Sequence, residues 1–469
     1  MVFASLPFIF FILPLFLTLD FLSQKKNLIR NFFIILVSLF FYVFDGGTHS
    51  LKILLAYGVL NFFFGYILEY VKSKNHILKN LTLILFVAIN LLALVFYKYS
   101  FWLVNLLHDN GIADNITAKP QILPLGISFF TFHAISYLID ISRGELNGKS
   151  NVVNFLTYFF MFPHLIAGPI VRYKQVKDDL VNRTYDQSLF SYGLYRFILG
   201  VNKKILIANS VAPIANMAFT YHLASISTAD AWLGAVAYMI QIYFDFSAYS
   251  DMAIGLAAMA GFRFSENFNQ PYLSTSIKDF WRRWHISLSS WLRDYVYIPL
   301  GGSRVPTYRI YANLITVFFL CGLWHGANMT FVIWGLYNGL FLILERLFLG
   351  DLLARVPKLI THLYAILVVL IGWVFFRADS LSQAFEYLSV MFGLSNLDKE
   401  SICQAQLLNY IALVVGCIIV FLKLKSFNSS NTHETVTHNY AYFVNFILIF
   451  VSVLVLYFGA QNPFIYFNF

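Results

Sequence analysis

Apolar runs of about twenty residues recur along the whole chain, and each is long enough to cross the ~30 Å hydrocarbon layer of a bilayer as a helix. Inside lipid the backbone must satisfy its own hydrogen bonds, so only helices and closed barrels span. Long apolar runs without period-two alternation select the helix. Crossings are expected near 3–22, 30–45, 51–71, 81–107, 121–140, 205–220, 231–258, 310–326, 329–347, 360–376, 406–422 and 441–460. Hydrophobic residues fill 59% of 469 positions and charged ones 12%, where a soluble domain has ~45–50% apolar residues. The expected fold class is therefore all-α: a polytopic integral membrane protein of about twelve transmembrane helices plus re-entrant or interfacial helices. Neither a linker nor a second domain is visible, so 1–469 reads as one transmembrane domain with a catalytic core at about 121–347.

Two stretches interrupt the pattern. Region 141–204 joins a short apolar run, Val152 to Phe162, to Pro163, Gly168, Pro169 and many charges, and reads as interfacial or re-entrant. Region 260–309 is too charged to cross.

Basic residues set the orientation, because those in short loops collect on the cytoplasmic side. Of the 32 Lys and Arg residues, 27 lie in 23–30, 72–80, 141–204, 260–309, 345–358 and 423–439. Only Lys52, Lys98, Lys119, Arg377 and Lys399 fall on the other side, so both termini are expected to be extracytoplasmic. The net charge of +9 is scattered through these loops without a dense tract, which argues against nucleic-acid binding. Val2 to Leu22 has no basic n-region and reads as a retained span rather than a cleaved signal. Cys321, Cys403 and Cys417 have no metal-ligand or disulfide spacing, so no metal site is expected.

Two histidines stand in contrasting settings. His285 lies in Trp281-Arg282-Arg283-Trp284-His285, an aromatic and basic segment on the expected cytoplasmic side. A helix over 277–297 would align Trp284, Leu288, Trp291 and Tyr295 as one apolar stripe, leaving Arg282, Arg283 and Arg293 near headgroups. His325 lies near the outer end of an apolar run, where an ionisable group is costly unless it serves a cavity or a partner. Asn328, three residues on, would share its helical face. The plainer reading is that a membrane histidine bonds a neighbouring helix, and it applies with more force to His133 and His164. Asp245 and Asp251 are intramembrane carboxylates that either orient a histidine or pair with a basic or tyrosine side chain; the sequence does not choose.

Absent motifs narrow the chemistry. There is no P-loop, GxSxG or HExxH. The soluble acyltransferase pattern His-x4-Asp also fails, since Ser290 and Thr330 occupy the acidic positions. A histidine acting on a hydroxyl remains, a task suited to an imidazole. A transporter or flippase of a lipid-linked sugar would use intramembrane charges as a path, but no inverted repeat supports one.

Ordered blocks carry a family likeness: Pro124–Phe132, His164–Ile170, Gln241–Ser247, Glu266–Tyr272, Phe280–Leu288, Tyr297–Gly302, Leu323–Ala327, Trp373–Ala378 and Pro463–Phe467. Together they resemble the membrane-bound O-acyltransferases, in the bacterial alginate O-acetylase branch. Ala248 and His133 depart from that pattern, which has glycine and glutamine there, and His133 would add a third polar group to a tunnel. The resemblance implies that His325 is the principal catalytic histidine and His285 the second functional one. It implies acetyl transfer from a cytoplasmic donor, acetyl-CoA or an acyl carrier, to hydroxyls of an extracytoplasmic polysaccharide, alginate-like or peptidoglycan. Trp281, Arg282, Arg283, Trp284, Asn328 and Asp245 are the expected donor-binding residues, and a tunnel is expected to join the two histidines. The resemblance also implies an extracytoplasmic acetyltransferase partner, surrounding membrane lipid and a place in the bacterial inner membrane.

Overall fold

The computed structural model describes residues 3–112, 119–220, 226–394, 405–422 and 439–458. Among these every regular element is helical. Five helices are long and apolar enough to cross a membrane: Asn27–Lys72, His76–Asp109, Gln187–Thr220, Met329–Leu353 and Lys358–Arg377. Phe8–Leu22, Leu407–Phe421 and Tyr442–Tyr457 are shorter apolar helices.

Local chemistry explains where these helices differ from the sequence expectation. Asn27–Lys72 has 46 residues, roughly 70 Å at 1.5 Å per residue, far more than one crossing needs. It breaks at Gly47, whose φ of 68° lies outside helical space; glycine enters that region without the Cβ penalty other residues meet. The break falls between the expected runs 30–45 and 51–71. Gln187–Thr220 begins well before the expected crossing at 205, so Arg196 and Lys204 belong to a span-length helix rather than to a loop. Both are buried, and each meets a carboxylate: Arg196 with Asp251 and Lys204 with Asp245. A buried charge is tolerated only when paired and hydrogen-bonded, which is how these cations sit in an apolar helix. The two aspartates left open by the sequence are thus ion-pair partners.

The contacts divide the chain into two compact units. The first comprises Met1–Leu199, Tyr249–Ser265 and Asn428–Phe446. Its Ile127–Arg143 helix buries 14 of 17 residues, polar ones such as Thr131, His133 and Ser136 included. Such a helix faces protein on all sides. His133 and His164 lie together there, ring centroids 4.6 Å apart, and His164 Nε2 meets the Tyr158 carbonyl at 2.7 Å. In the same unit, Arg30 donates through Nε and Nη2 to both oxygens of Asp20 at 2.9 and 2.6 Å, the bidentate geometry that suits a buried pair.

The second unit comprises Gly200–Ala248, Glu266–Phe427 and Ile447–Phe469. Its centre is the hairpin of Thr307–His325 and Met329–Leu344. Small residues bring these helices close: a Cβ on Gly322 would lie 2.3 Å from the Phe331 carbonyl oxygen, and one on Gly335 2.2 Å from that of Phe318. Such approach is the usual way helices gain packing in lipid, where apolar burial supplies no drive. Lys358–Arg377 and the short helix Ile277–Arg283 complete the surroundings of the two candidate histidines.

Candidate functional site

His325 is the last residue of Thr307–His325; at Gly326 the backbone turns extended. Asn328 therefore does not share its helical face. Instead Asn328 caps the next helix, accepting from Thr330 N–H at 3.0 Å and donating to the Asp379 carbonyl at 2.8 Å. The His325 imidazole is buried within an aromatic cage. Trp324, Trp334 and Phe376 present their rings nearly at right angles to it, at centroid distances of 4.9, 5.0 and 5.2 Å. Three helical segments supply the cage.

His285 occupies a break that the expected continuous 277–297 helix does not have. Ile277–Arg283 ends, His285 takes φ 44° and ψ 54°, and Ile286–Leu292 starts afresh. A left-handed conformation costs a non-glycine residue ~1–2 kcal/mol. The stripe of Trp284, Leu288, Trp291 and Tyr295 is nevertheless buried along its length. The strained turn is held by Asn267: its main-chain carbonyl accepts from Ile286 N–H at 2.9 Å, and its Oδ1 accepts from Ser287 N–H at 3.2 Å and Ser287 Oγ–H at 2.8 Å. His285 Nδ1 lies 3.2 Å from the same Oδ1. Phe246 packs edge-on at 4.7 Å and Trp324 at 5.9 Å. Burial pushes the His285 imidazole down to about 3, so the ring is neutral at physiological pH.

Trp324 thus touches both histidines. Its centroid distances of 5.9 and 4.9 Å put the two imidazole centroids no more than about 11 Å apart. The sequence places these histidines on opposite sides of one barrier; in the structure a single indole is common to both.

Beside this cluster is a cavity of 1020 Å³, bordered by Trp281, Ile286, Leu288 and Cys321 and by five cations, Lys278, Arg282, Arg293, Arg346 and Lys358. Trp281 connects it to the cage: its ring lies 5.7 Å from Trp334, and its Nε1–H donates to Asn338 Oδ1 at 3.1 Å. Glu345, also on the cavity wall, accepts from the N–H groups of Ile277 and Lys278 at 2.6 and 3.0 Å, which caps the helix carrying Trp281 and Arg282.

The candidate donor-binding residues separate by position. Trp281 and Arg282 line the cavity. Arg283 turns back to Asp279 at 3.0 Å, and Trp284 is packed between Phe280 and Trp373 at 5.5 and 4.9 Å. Asp245 is paired with Lys204, and Asn328 is the helix cap. Asn267, Trp334, Lys278 and Arg346 escape a reading of sequence alone. Lys278 shares the helix of Trp281 and Arg282, whereas Asn267, Trp334 and Arg346 are brought near from other segments; Asn267 carries no local sign of its partner beyond a turn-rich Asn-Phe-Asn-Gln-Pro stretch. Among the described residues no group of three or more metal-ligating side chains occurs.

The model of the membrane-bound O-acyltransferase family matches residues 39–376, which includes both histidines, the cage and the whole cavity wall. The chain belongs to the membrane-bound O-acyltransferase family. As a member it is a multi-pass membrane acyltransferase. It is 43% identical, over 88% of its length and 84% of the relative's, to "Probable alginate O-acetylase AlgI" of Azotobacter vinelandii. It is 42% identical to the protein of the same name in Pseudomonas aeruginosa, over 90% of this chain and 80% of that one. It is also 33% identical to the peptidoglycan O-acetyltransferase of Helicobacter pylori, over 98% and 96% of the two chains. None of these relatives supports the transporter alternative.

Proposed function

We propose that this acyltransferase moves acetyl groups from a cytoplasmic donor, acetyl-CoA, to hydroxyls of an extracytoplasmic polysaccharide, alginate-like or peptidoglycan. The observation that carries the reading is the caged His325 sharing the Trp324 ring with His285, beside a cavity lined by five cations. His325 takes the proton of the acceptor hydroxyl as its oxygen attacks the acetyl carbonyl. The new C–O bond forms, the C–S bond of the thioester breaks, and the proton passes to the departing thiolate. No covalent acyl-enzyme is needed. A base held in place contributes ~10²–10⁴-fold, and the rigid cage favours the alignment that acyl transfer depends on. Lys278, Arg282, Arg293, Arg346 and Lys358 suit a donor bearing several phosphates, and Trp281 suits one bearing a base or an apolar arm.

In this reading the protein lies in the bacterial inner membrane with about twelve crossings and both chain ends outside, following the basic-residue bias. An extracytoplasmic partner completes delivery to the polymer, as the family resemblance implies. The test is His325→Ala in membranes supplied with labelled acetyl-CoA, scoring acetyl on alginate and on peptidoglycan separately from polymer export. Transfer should fall by ~10²–10⁴-fold with export intact. Near-normal acetylation by the variant would refute the assignment.

A further inference from the structure

Asn267 grips the break at His285 by both of its oxygens, and the side-chain oxygen carries chemical information. Ser287 donates a main-chain N–H to the Asn267 amide at 3.2 Å, so the atom it meets is the oxygen and not the nitrogen. His285 Nδ1, 3.2 Å from that oxygen, must then be the donor. A neutral imidazole has one N–H, so with Nδ1 protonated Nε2 is left as a bare lone pair. Nε2 is buried and meets no hydrogen-bonding group among the described residues. An acceptor in that state is costly unless something fills it.

We infer that Asn267 is a positioning residue that locks His285 in its Nδ1–H tautomer, so that Nε2 receives an N–H or O–H of the reacting substrate. The inference rests on the reading of His285 as a functional residue of the acetyl-transfer site. It accounts for three features together: the strained left-handed backbone at His285, the convergence of Ile286 N–H, Ser287 N–H and Ser287 Oγ–H on one asparagine, and the open nitrogen at the other end of the ring. Strain of this kind persists only where surrounding contacts over-determine it. The remaining described neighbours of the ring are uncharged: Ser287 Oγ, 3.4 Å from Nδ1 with its proton directed to Asn267 Oδ1, Phe246 from Thr228–Met259 and Trp324 from Thr307–His325; the titratable group beyond Trp324 is His325.

The test compares the parent with Asn267→Leu, Asn267→Asp and His325→Ala in the full chain, using acetyl-CoA as donor. Imidazole ¹⁵N signals of His285, assigned against His285→Gln, should show Nδ1 protonated in the parent. Asn267→Leu, of similar size but with no acceptor, should lose between about tenfold and 10⁴-fold in transfer, the upper figure being the cost of a wrong tautomer in a catalytic triad. Asn267→Asp keeps an acceptor and should recover transfer, with the acid limb of its pH profile moved upward by about one unit or more, because a carboxylate favours the imidazolium. A merely structural asparagine would leave that limb where it is. An Nε2–H tautomer in the parent, or an unmoved acid limb in Asn267→Asp, overturns the inference, and neither depends on whether Asn267→Leu folds. A parent without any acetyl transfer would defeat the functional reading instead, while the ¹⁵N signals would still decide the tautomer.

Discussion

Gly335→Ala should inactivate the protein from a position that touches neither histidine. The added methyl would sit 2.2 Å from the Phe318 carbonyl oxygen and 3.1 Å from the Cα of Gly322, whereas real Cβ atoms stay at least 3.0 Å from such neighbours. A backbone oxygen in a helix cannot swing aside, so the hairpin must open by about 1 Å, an overpacking that also costs ~1–3 kcal/mol of stability. Gly322 and His325 are one turn apart on the same helix, so that opening is delivered to the ring proposed as the base. A misplacement of about 1 Å costs ~10²-fold in rate, equivalent to about 2.7 kcal/mol in the barrier. The assay is acetyl transfer per folded molecule, normalised by the monodisperse fraction in detergent. Gly339→Ala is the matched control, because its methyl would meet only side-chain atoms, Phe318 Cβ at 3.2 Å and Ile315 Cδ1 at 3.4 Å, which can shift. It should retain transfer within about threefold. A well-folded Gly335→Ala variant as active as Gly339→Ala would refute the claim that the hairpin sets the position of His325.

Lys204→Met should destabilise the protein by about 3–5 kcal/mol by leaving buried Asp245 without its cation, and Lys204→Met with Asp245→Leu should regain most of that. Thermal unfolding in micelles measures it, and equal losses in the single and double variants would contradict the pairing argument. For orientation, a cysteine replacing exposed Ala229 should react with an impermeant thiol reagent from outside the cell, and one replacing exposed Ser303 should not; the converse labelling would invert the donor and acceptor sides. Ala224, in the outer loop that the sequence reading expects, lies outside the described residues.

Composition and apolar run length were enough to read a helical, multi-pass protein, because a chain in lipid has few ways to satisfy its backbone. His285 and His325 could be singled out as candidates too, since an ionisable group in an apolar or aromatic run stands out locally. Which residues surround them could not. Asn328 is close to His325 in sequence and reads as a helical neighbour, yet the helix ends at His325 and the asparagine becomes a cap. Arg283 and Trp284 share a motif with Arg282, but Arg283 turns back to Asp279 on its own helix and Trp284, at the helix end, packs between Phe280 and Trp373. Asn267, eighteen residues before His285, meets the ring only because the intervening chain folds back. Arg196 and Lys204 read as loop charges, since their carboxylate partners, Asp251 and Asp245, lie 55 and 41 residues further along the chain. Local pattern determines whether a segment can enter the membrane, because that depends on transfer energies summed over neighbouring residues. The partner of each buried polar atom is decided by tertiary approach between distant segments, which no periodicity records.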